Sequence, residues 1–297
     1  MVKSFFRRNR SSLKYSSSIY CVINIHGETV KIGLTEKVER VLIDCIDFFF
    51  RLWPQPFPGH DRLKACKIVS HRGEHDNRMI FENTIEAFDL AYEKGIWGIE
   101  FDVRWTKDLH PVVIHDPDLK RVFGIDLTIA EVTRDELKSR CPAVPSLSEI
   151  IEKYGQKLHF MIEIKVETYP DPERQNLIFK NCFSSLEPRR DYHLMSLTPH
   201  MFNLITFVPA STCIPIATLN MAQLSELALE NGYCGIAGHY LLLNNTKLAK
   251  HRKKGQHVGT GYPASKNCLF REINRGVEWI FSNNAGELQG IANMNTI

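Results

Sequence analysis

At 297 residues with 43% hydrophobic content, the chain can bury one sizeable core but has no room for a second enzymatic domain beside it. A net charge of +3, from 37 Lys and Arg against 34 Asp and Glu, excludes the global basic field expected of a nucleic-acid partner. No apolar run reaches the roughly 18 to 20 residues of a membrane span, and the eight cysteines (Cys21, Cys45, Cys66, Cys141, Cys182, Cys213, Cys234 and Cys268) form no C-x-x-C pair; scattered thiols predict a reduced, cytoplasmic protein rather than a disulfide framework or zinc site.

The chain opens with a basic arm of Lys3, Arg7, Arg8, Arg10 and Lys14, and the apolar run from Ile19 is broken at Asn24 and His26, too soon for a secretory signal. Ile23 to Lys31 predicts a short hairpin turning at His26-Gly27. Val38 to Trp53 predicts a helix with a broad apolar face of Val41, Leu42, Cys45, Ile46, Phe48, Phe49 and Leu52, ended by Pro54. A helix beneath a barrel floor is the favoured reading of that face. Peripheral contact with a membrane surface is the other, because aromatic residues follow a basic arm. Pro54, Pro56, Pro58 and Gly59 form the linker, so residues 1–58 divide from a larger unit over 59–297.

Ile68-Val69 is β-branched and apolar, and His71-Arg72-Gly73 cuts the run, so a strand ends where a base and a cation begin. Asn83 with Glu86 predicts a capping pair for a helix whose buried stripe is Ile85, Phe88, Leu90 and Ala91. A second strand, Ile99 to Arg104, carries Glu100 and Asp102 two residues apart, hence on one face. Two carboxylates in one volume repel unless a cation lies between them, and Mg²⁺ or Ca²⁺ would suit. For this strand alone, acids facing solvent remain the alternative. Only four residues separate it from Pro111 to His115, too few for a crossover helix, which makes that segment a hairpin-like excursion.

The third strand, His159 to Lys165, adds Glu163 and Lys165 in the same two-apart geometry. Tyr192–Leu197, Ile214–Leu219, Gly235–His239, His257–Gly261 and Trp279–Ser282 bring the count to eight, with helices at 146–154, 172–185, 199–207, 221–231, 246–254 and 269–275 between them. Gly155, Gly232, Gly255 and Gly276 stand where left-handed helix ends are expected.

Taken together, H-R-G at 71–73, E-N-T at 82–84, E-F-D-V-R-W-T-K-D at 100–108, P-V-V-I-H-D-P-D-L at 111–119 and M-I-E-I-K at 161–165 resemble the glycerophosphodiester phosphodiesterases, from about Lys67 to Asn284. The resemblance implies an α/β fold, a TIM-type (β/α)8 barrel of phospholipase-C-like phosphodiesterase architecture with an N-terminal helical extension. It implies His71 and His115 as the catalytic acid/base pair, Glu100, Asp102 and Glu163 as ligands of one divalent ion (Mg²⁺ or Ca²⁺, with Mn²⁺ also suitable), and Arg72 and Lys165 as phosphate-binding residues. The substrate implied is a small glycerophosphodiester. A lysophospholipase-D-like activity uses the same residues and stays open. An inactive binding barrel would need an eroded position, and none is seen.

The segment from Asp116 to Pro145 stands where the family carries an insertion. It is short, lacks the usual Thr-, Asn- and Gly-rich motif, and is expected to wall the site. Leu197 and Gly261-Tyr262 depart from the aromatic residues usual at the pocket mouth, which touches recognition of the alcohol rather than catalysis. His193, His200, His239 and His257 are read as core or rim residues, His75-Asp76-Asn77 as a solvated turn, and Lys250 to Lys254 as a helix-end charge cluster.

Overall fold

The structure, a computed structural model, describes residues 19–25, 28–34, 45 and 48–294. The chain separates into two units, 1–45 and 46–297. In the first, β1 (Ile19–Ile25) and β2 (Glu28–Leu34) pair antiparallel, with Ile25 opposite Glu28. The expected hairpin is present and longer than its apolar core suggested. The basic arm and the turn residues His26 and Gly27 lie outside the described residues.

The second unit is the barrel. Eight parallel strands close on themselves in the order β3 (Lys67–His71), β4 (Gly98–Trp105), β6 (His159–Ile164), β7 (Tyr192–Ser196), β8 (Cys213–Ala217), β9 (Gly235–His239), β10 (His257–Gly261) and β11 (Trp279–Ser282), with β11 pairing back to β3. β5 (Pro111–Val113) runs antiparallel to the end of β4, the excursion that the short connection required. β4 and β6 are buried along their whole length, as parallel strands covered by helices must be. Their apolar residues divide by parity. Ile99, Phe101, Phe160 and Ile162 pack outward against helices, whereas Val69, Met161, Met195, Ile214, Ala237 and Phe281 fill the barrel interior. A residue two places on from an interior side chain therefore also faces inward, now at the C-terminal end of the strands.

Three local expectations change. The helix over Ile85–Glu93 is capped by Thr84, whose side chain accepts from Ala87 N; Asn83 is left-handed at φ 59° and directed elsewhere. Residues 199–204 form a 3-10 helix rather than an α-helix. Gly232, Gly255 and Gly276 are left-handed, but after the helix over Leu147–Tyr154 it is Gln156, not Gly155, that turns left-handed. That helix opens on a capping box of Ser146 with Glu149.

Of the helix foreseen over 38–53, the described part at 48–51 does not close the barrel floor. Phe50 packs edge-on against Tyr240, which follows β9, and under the Arg271 guanidinium, while Asn267 donates to Arg51 O. Phe48, Phe49, Leu52 and Trp53 are left exposed.

Candidate active site

The site is assembled where β3, β4 and β6 end. Register places His71 beside Glu100 and Asp102 beside Glu163, so four reactive side chains form two adjacent layers of the interior. The chain reaches this arrangement through two residues in the left-handed region, Arg72 (φ 61°) and Asn83 (φ 59°). Such backbone costs about 1–3 kcal/mol per residue and persists only where surrounding bonds fix it. Here Arg72 N donates to Glu100 O at 2.9 Å, and Asn83 N donates to Arg72 O at 2.9 Å. Gly73 is required beside them, because a Cβ there would stand 2.7 Å from the Ala87 side chain.

Oxygens of Glu100, Asp102 and Glu163 lie within 4.8 Å of one another and all three residues are buried. Lys165 Nζ bridges two of them, at 2.7 Å from Glu163 Oε1 and 3.0 Å from Asp102 Oδ1. Arg72 Nε stands 3.3 Å from Asp102 Oδ2, and Asn83 Nδ2 donates to the same oxygen at 2.9 Å. Burial would raise the Asp102 pKa, but Lys165, His115, Arg72 and the Asn83 bond hold it well below the usual carboxylate range. Glu100 is pushed the other way, by burial and by the charges of Asp102 and Glu163. Two cations thus face three carboxylates. A hard, oxygen-seeking divalent ion fits this donor set, and its charge would relieve the repulsion that Glu100 shows.

Two histidines border the acids. His71 Nδ1 stands 2.7 Å from Asn283 Oδ1, an acceptor, so Nδ1 carries the hydrogen and Nε2 presents a lone pair, 3.8 Å from Glu100 Oε2. Its ring lies against Tyr262 at 4.9 Å between centroids. Burial and the Arg72 charge lower its pKa to about 3. His115 Nδ1 is 2.6 Å from Asp116 Oδ1, which sets the same tautomer with Nε2 free. Burial and Lys165 lower its pKa too, but it has a carboxylate to support its charged form where His71 has only an amide.

A second layer of bonds holds these groups. Glu82, buried, takes Arg72 Nη1 at 2.9 Å, Arg121 Nη2 at 2.6 Å and Asn77 Nδ2 at 2.6 Å. Arg121 also donates from Nε to Asp116 Oδ2 at 2.6 Å, linking the carboxylate that holds Arg72 to the one that holds His115. Burial would raise the Asp116 pKa, yet the bonds from His115 and Arg121 hold it at about 2. On the other side, Arg104 Nε donates to His115 O at 2.8 Å and its Nη1 to Glu167 Oε2 at 3.1 Å. The foreseen insertion forms a wall with its own small core, including Leu119, Leu127, Ile129 and Leu137, and supplies Arg121.

All seven residues singled out from the sequence therefore meet in one place. Asn83, read there as a helix cap, is a donor to Asp102. Glu82, Asp116, Arg121, Glu167 and Asn283 were not assigned, although Glu82 and Asp116 sit inside the quoted motifs. His193 and His257 lie at the opposite end of the barrel, and Asp76 forms the solvated turn, its Oδ1 accepting from three successive amides.

Comparison with known proteins places the chain in a family and a fold. The family model described as the glycerophosphoryl diester phosphodiesterase family matches residues 71–230, more than half of the chain. A glycerophosphodiester phosphodiesterase of Caldanaerobacter subterraneus subsp. tengcongensis is 34% identical over 123 residues, 36% of this chain and 49% of that protein. A human lysophospholipase D is 37% identical over 91 residues, 30% of this chain and 28% of its own. The chain spans about half the length of the first curated relatives it matches. Among solved structures, a glycerophosphodiester phosphodiesterase from Thermotoga maritima superposes with a TM-score of 0.63 at 23% identity, over 76% of this chain and 98% of that one. An Oleispira antarctica phosphodiesterase in complex with the product sn-glycerol-3-phosphate gives 0.66 at 19% identity, over 76% and 96%. At these identities the structures establish the shared fold.

Proposed function

The chain belongs to the glycerophosphoryl diester phosphodiesterase family, and from that premise we propose that it hydrolyses a glycerophosphodiester, such as glycerophosphocholine or glycerophosphoethanolamine, to glycerol 3-phosphate and the free alcohol. The observation that carries this reading is the pair of tautomerically fixed histidines, each with Nε2 free, on either side of three carboxylates and two cations.

In this reading Arg72 and Lys165 orient the phosphate and stabilise charge building on its non-bridging oxygens. His71, neutral with its Nε2 lone pair inward, takes a proton from the attacking hydroxyl. His115, whose imidazolium the Asp116 carboxylate supports, gives a proton to the leaving alkoxide. Each transfer contributes about 10²- to 10⁴-fold. A Mg²⁺ or Ca²⁺ ion, or Mn²⁺, held by Glu100, Asp102 and Glu163 would supply Lewis acidity and neutralise phosphate charge. The nucleophile is the hydroxyl next to the phosphate ester, because it is already held beside the phosphorus, and the product of attack is a cyclic phosphate that water then opens. A substrate lacking that hydroxyl should be inert, and phosphorus NMR should show the cyclic species; rapid hydrolysis of the deoxy compound would leave direct attack by water.

Residues 59–297 act in this reading as the catalytic barrel and 1–58 as an accessory arm. Exposed Phe48, Phe49, Leu52 and Trp53 give that arm a surface for peripheral membrane contact, on a protein of the cytoplasm whose described cysteines are all free thiols. No helix among the described residues is long and apolar enough to cross a membrane. A lysophospholipid is the second substrate reading. Exposed Leu197, Leu219 and Leu241, each just past the end of a barrel strand, offer an apolar wall to an acyl chain.

The direct test is hydrolysis of glycerophosphocholine by purified protein, abolished by EDTA and restored by Mg²⁺, Mn²⁺ or Ca²⁺. Undiminished turnover in excess chelator would overturn the metal assignment.

A further inference from the structure

The floor of the barrel, opposite the catalytic end, holds a second concentration of chemistry that the reaction does not use. A cavity of 290 Å³ opens between the N-terminal ends of the strands, lined by Lys67, Trp97, Arg189 and Arg190 together with His159, His193, His257 and Trp279. Its hydrogen bonds fix where the protons are. His159 Nδ1 lies 3.0 Å from Arg190 O, which can only accept, so that nitrogen carries the hydrogen and Nε2 is an acceptor. His193 Nδ1, 2.8 Å away, must then be the donor to it. That leaves His193 Nε2 to accept from the Cys234 thiol at 3.2 Å. The chain Cys234 to His193 to His159 to backbone is thus ordered in one direction, with both rings neutral. Burial accords with this, lowering the His159 pKa to about 4 and that of His193 to about 2, and raising the Cys234 thiol to about 11.

The charges around these rings are unbalanced. Glu278 is engaged by His257, and Arg190 is engaged by Glu187 and Asp191. Lys67 lies over the Trp97 ring at 5.0 Å and has no carboxylate partner among the described residues; neither does Arg189. The indole Nε1 of Trp279 is a buried donor without a hydrogen-bond partner. Two uncompensated cations thus line a cavity in which both nitrogens of His159 and of His193 are taken, and His257, bonded through Nδ1 to Glu278, is left with Nε2 alone. A cationic ligand would find no free carboxylate there, and a metal ion would find no free imidazole nitrogen on His159 or His193.

We propose that this floor cavity binds a compact oxyanion, inorganic phosphate or a phosphate monoester, between Lys67 and Arg189 and against the Trp97 and Trp279 rings. The volume admits a phosphate with ordered water or a small organic group. Arg189 is exposed and left-handed at φ 71° on the turn into β7, so its guanidinium closes on the anion from outside while Lys67 approaches from β3. The anion would then tie the first strand of the barrel to its fourth.

Inorganic phosphate titrated into the full chain, followed by tryptophan fluorescence and thermal unfolding, tests this. A saturable fluorescence change with a rise in Tm is expected. Lys67→Met and Arg189→Met should each weaken affinity by roughly tenfold, the loss of one charge-assisted contact, while Lys266→Met, an exposed control elsewhere on the barrel, leaves it unchanged. Trp279→Phe should diminish the fluorescence response without removing the Tm shift. No saturable response up to about 10 mM phosphate, weaker than any millimolar site, would overturn the proposal. So would a response that Lys67→Met and Arg189→Met leave intact, since the anion would then bind elsewhere. Arg189→Met alters only an exposed side chain and so decides the matter if Lys67→Met fails to fold.

Discussion

Both ends of this barrel hold histidines, half-buried at the mouth and buried at the floor, and they use them in opposite ways. At the mouth, His71 and His115 each have one nitrogen bound to a support, Asn283 or Asp116, and the other left free toward acids and cations. At the floor, His159 and His193 have both nitrogens consumed by the ordered chain that ends on Arg190 O. Burial lowers the pKa of all four. A depressed pKa therefore does not separate the two pairs; a free ring nitrogen beside ionic groups does.

This comparison breaks if the two ends respond alike to mutation. His71→Ala and His115→Ala should each lower kcat by about 10²-fold or more with a far smaller change in KM, measured on glycerophosphocholine. His193→Ala should leave kcat within a few-fold but strand the His159 and Cys234 groups, lowering stability by about 1–3 kcal/mol in denaturant unfolding. Wild-type turnover in either mouth variant, or a hundredfold loss in the floor variant, would remove the distinction.

Asp116 sharpens it. Its folded pKa of about 2 lies below the ordinary value near 3.9, so its contribution to stability is present above that value and is lost as pH falls through 2. About 2 kcal/mol of pH-dependent stability should disappear between pH 4 and 2, and Asp116→Asn should flatten that slope in thermal unfolding. The same variant should lower kcat by about tenfold, as expected if the carboxylate supports the imidazolium of His115. A kcat unchanged by Asp116→Asn would leave His115 without the support assigned to it.

The barrel was legible because fully buried parallel strands write themselves as apolar runs; of the eight from Ile68 to Ser282, Gly235–His239, His257–Gly261 and Trp279–Ser282 were read with the bounds they have and the others with small errors at their ends. The site was legible where its residues are close in sequence on one strand, as with Glu100 and Asp102 or Glu163 and Lys165. It was not legible where partners are far apart. Asn283 meets His71 across 212 positions, and nothing in either segment says that β11 closes onto β3. Asn83 was misread because asparagine before a helix is an ordinary cap; only its left-handed backbone, invisible in sequence, turns the amide toward Asp102. The floor was legible in part, since His193 and His257 are the core and rim residues that they were read as, but not its hydrogen-bond order. Its histidines stand at strand beginnings, and their hydrogen-bond order depends on register between strands.

The short excursion of β5 has one further consequence. Ile114 N donates to Asp102 O at 2.9 Å, and Val103, Arg104 and Trp105 face Val113, Val112 and Pro111 across the pair. His115 and the carboxylates of β4 therefore ride on one hairpin closed by a few residues, not on separate strands of the barrel. In hydrogen-exchange terms the Ile114 amide is exposed when the three-residue β5 parts from β4, an opening that leaves the pairing of β4 with β3 and β6 in place. Breathing of the distant β8 and β9 side can proceed without parting β5 from β4.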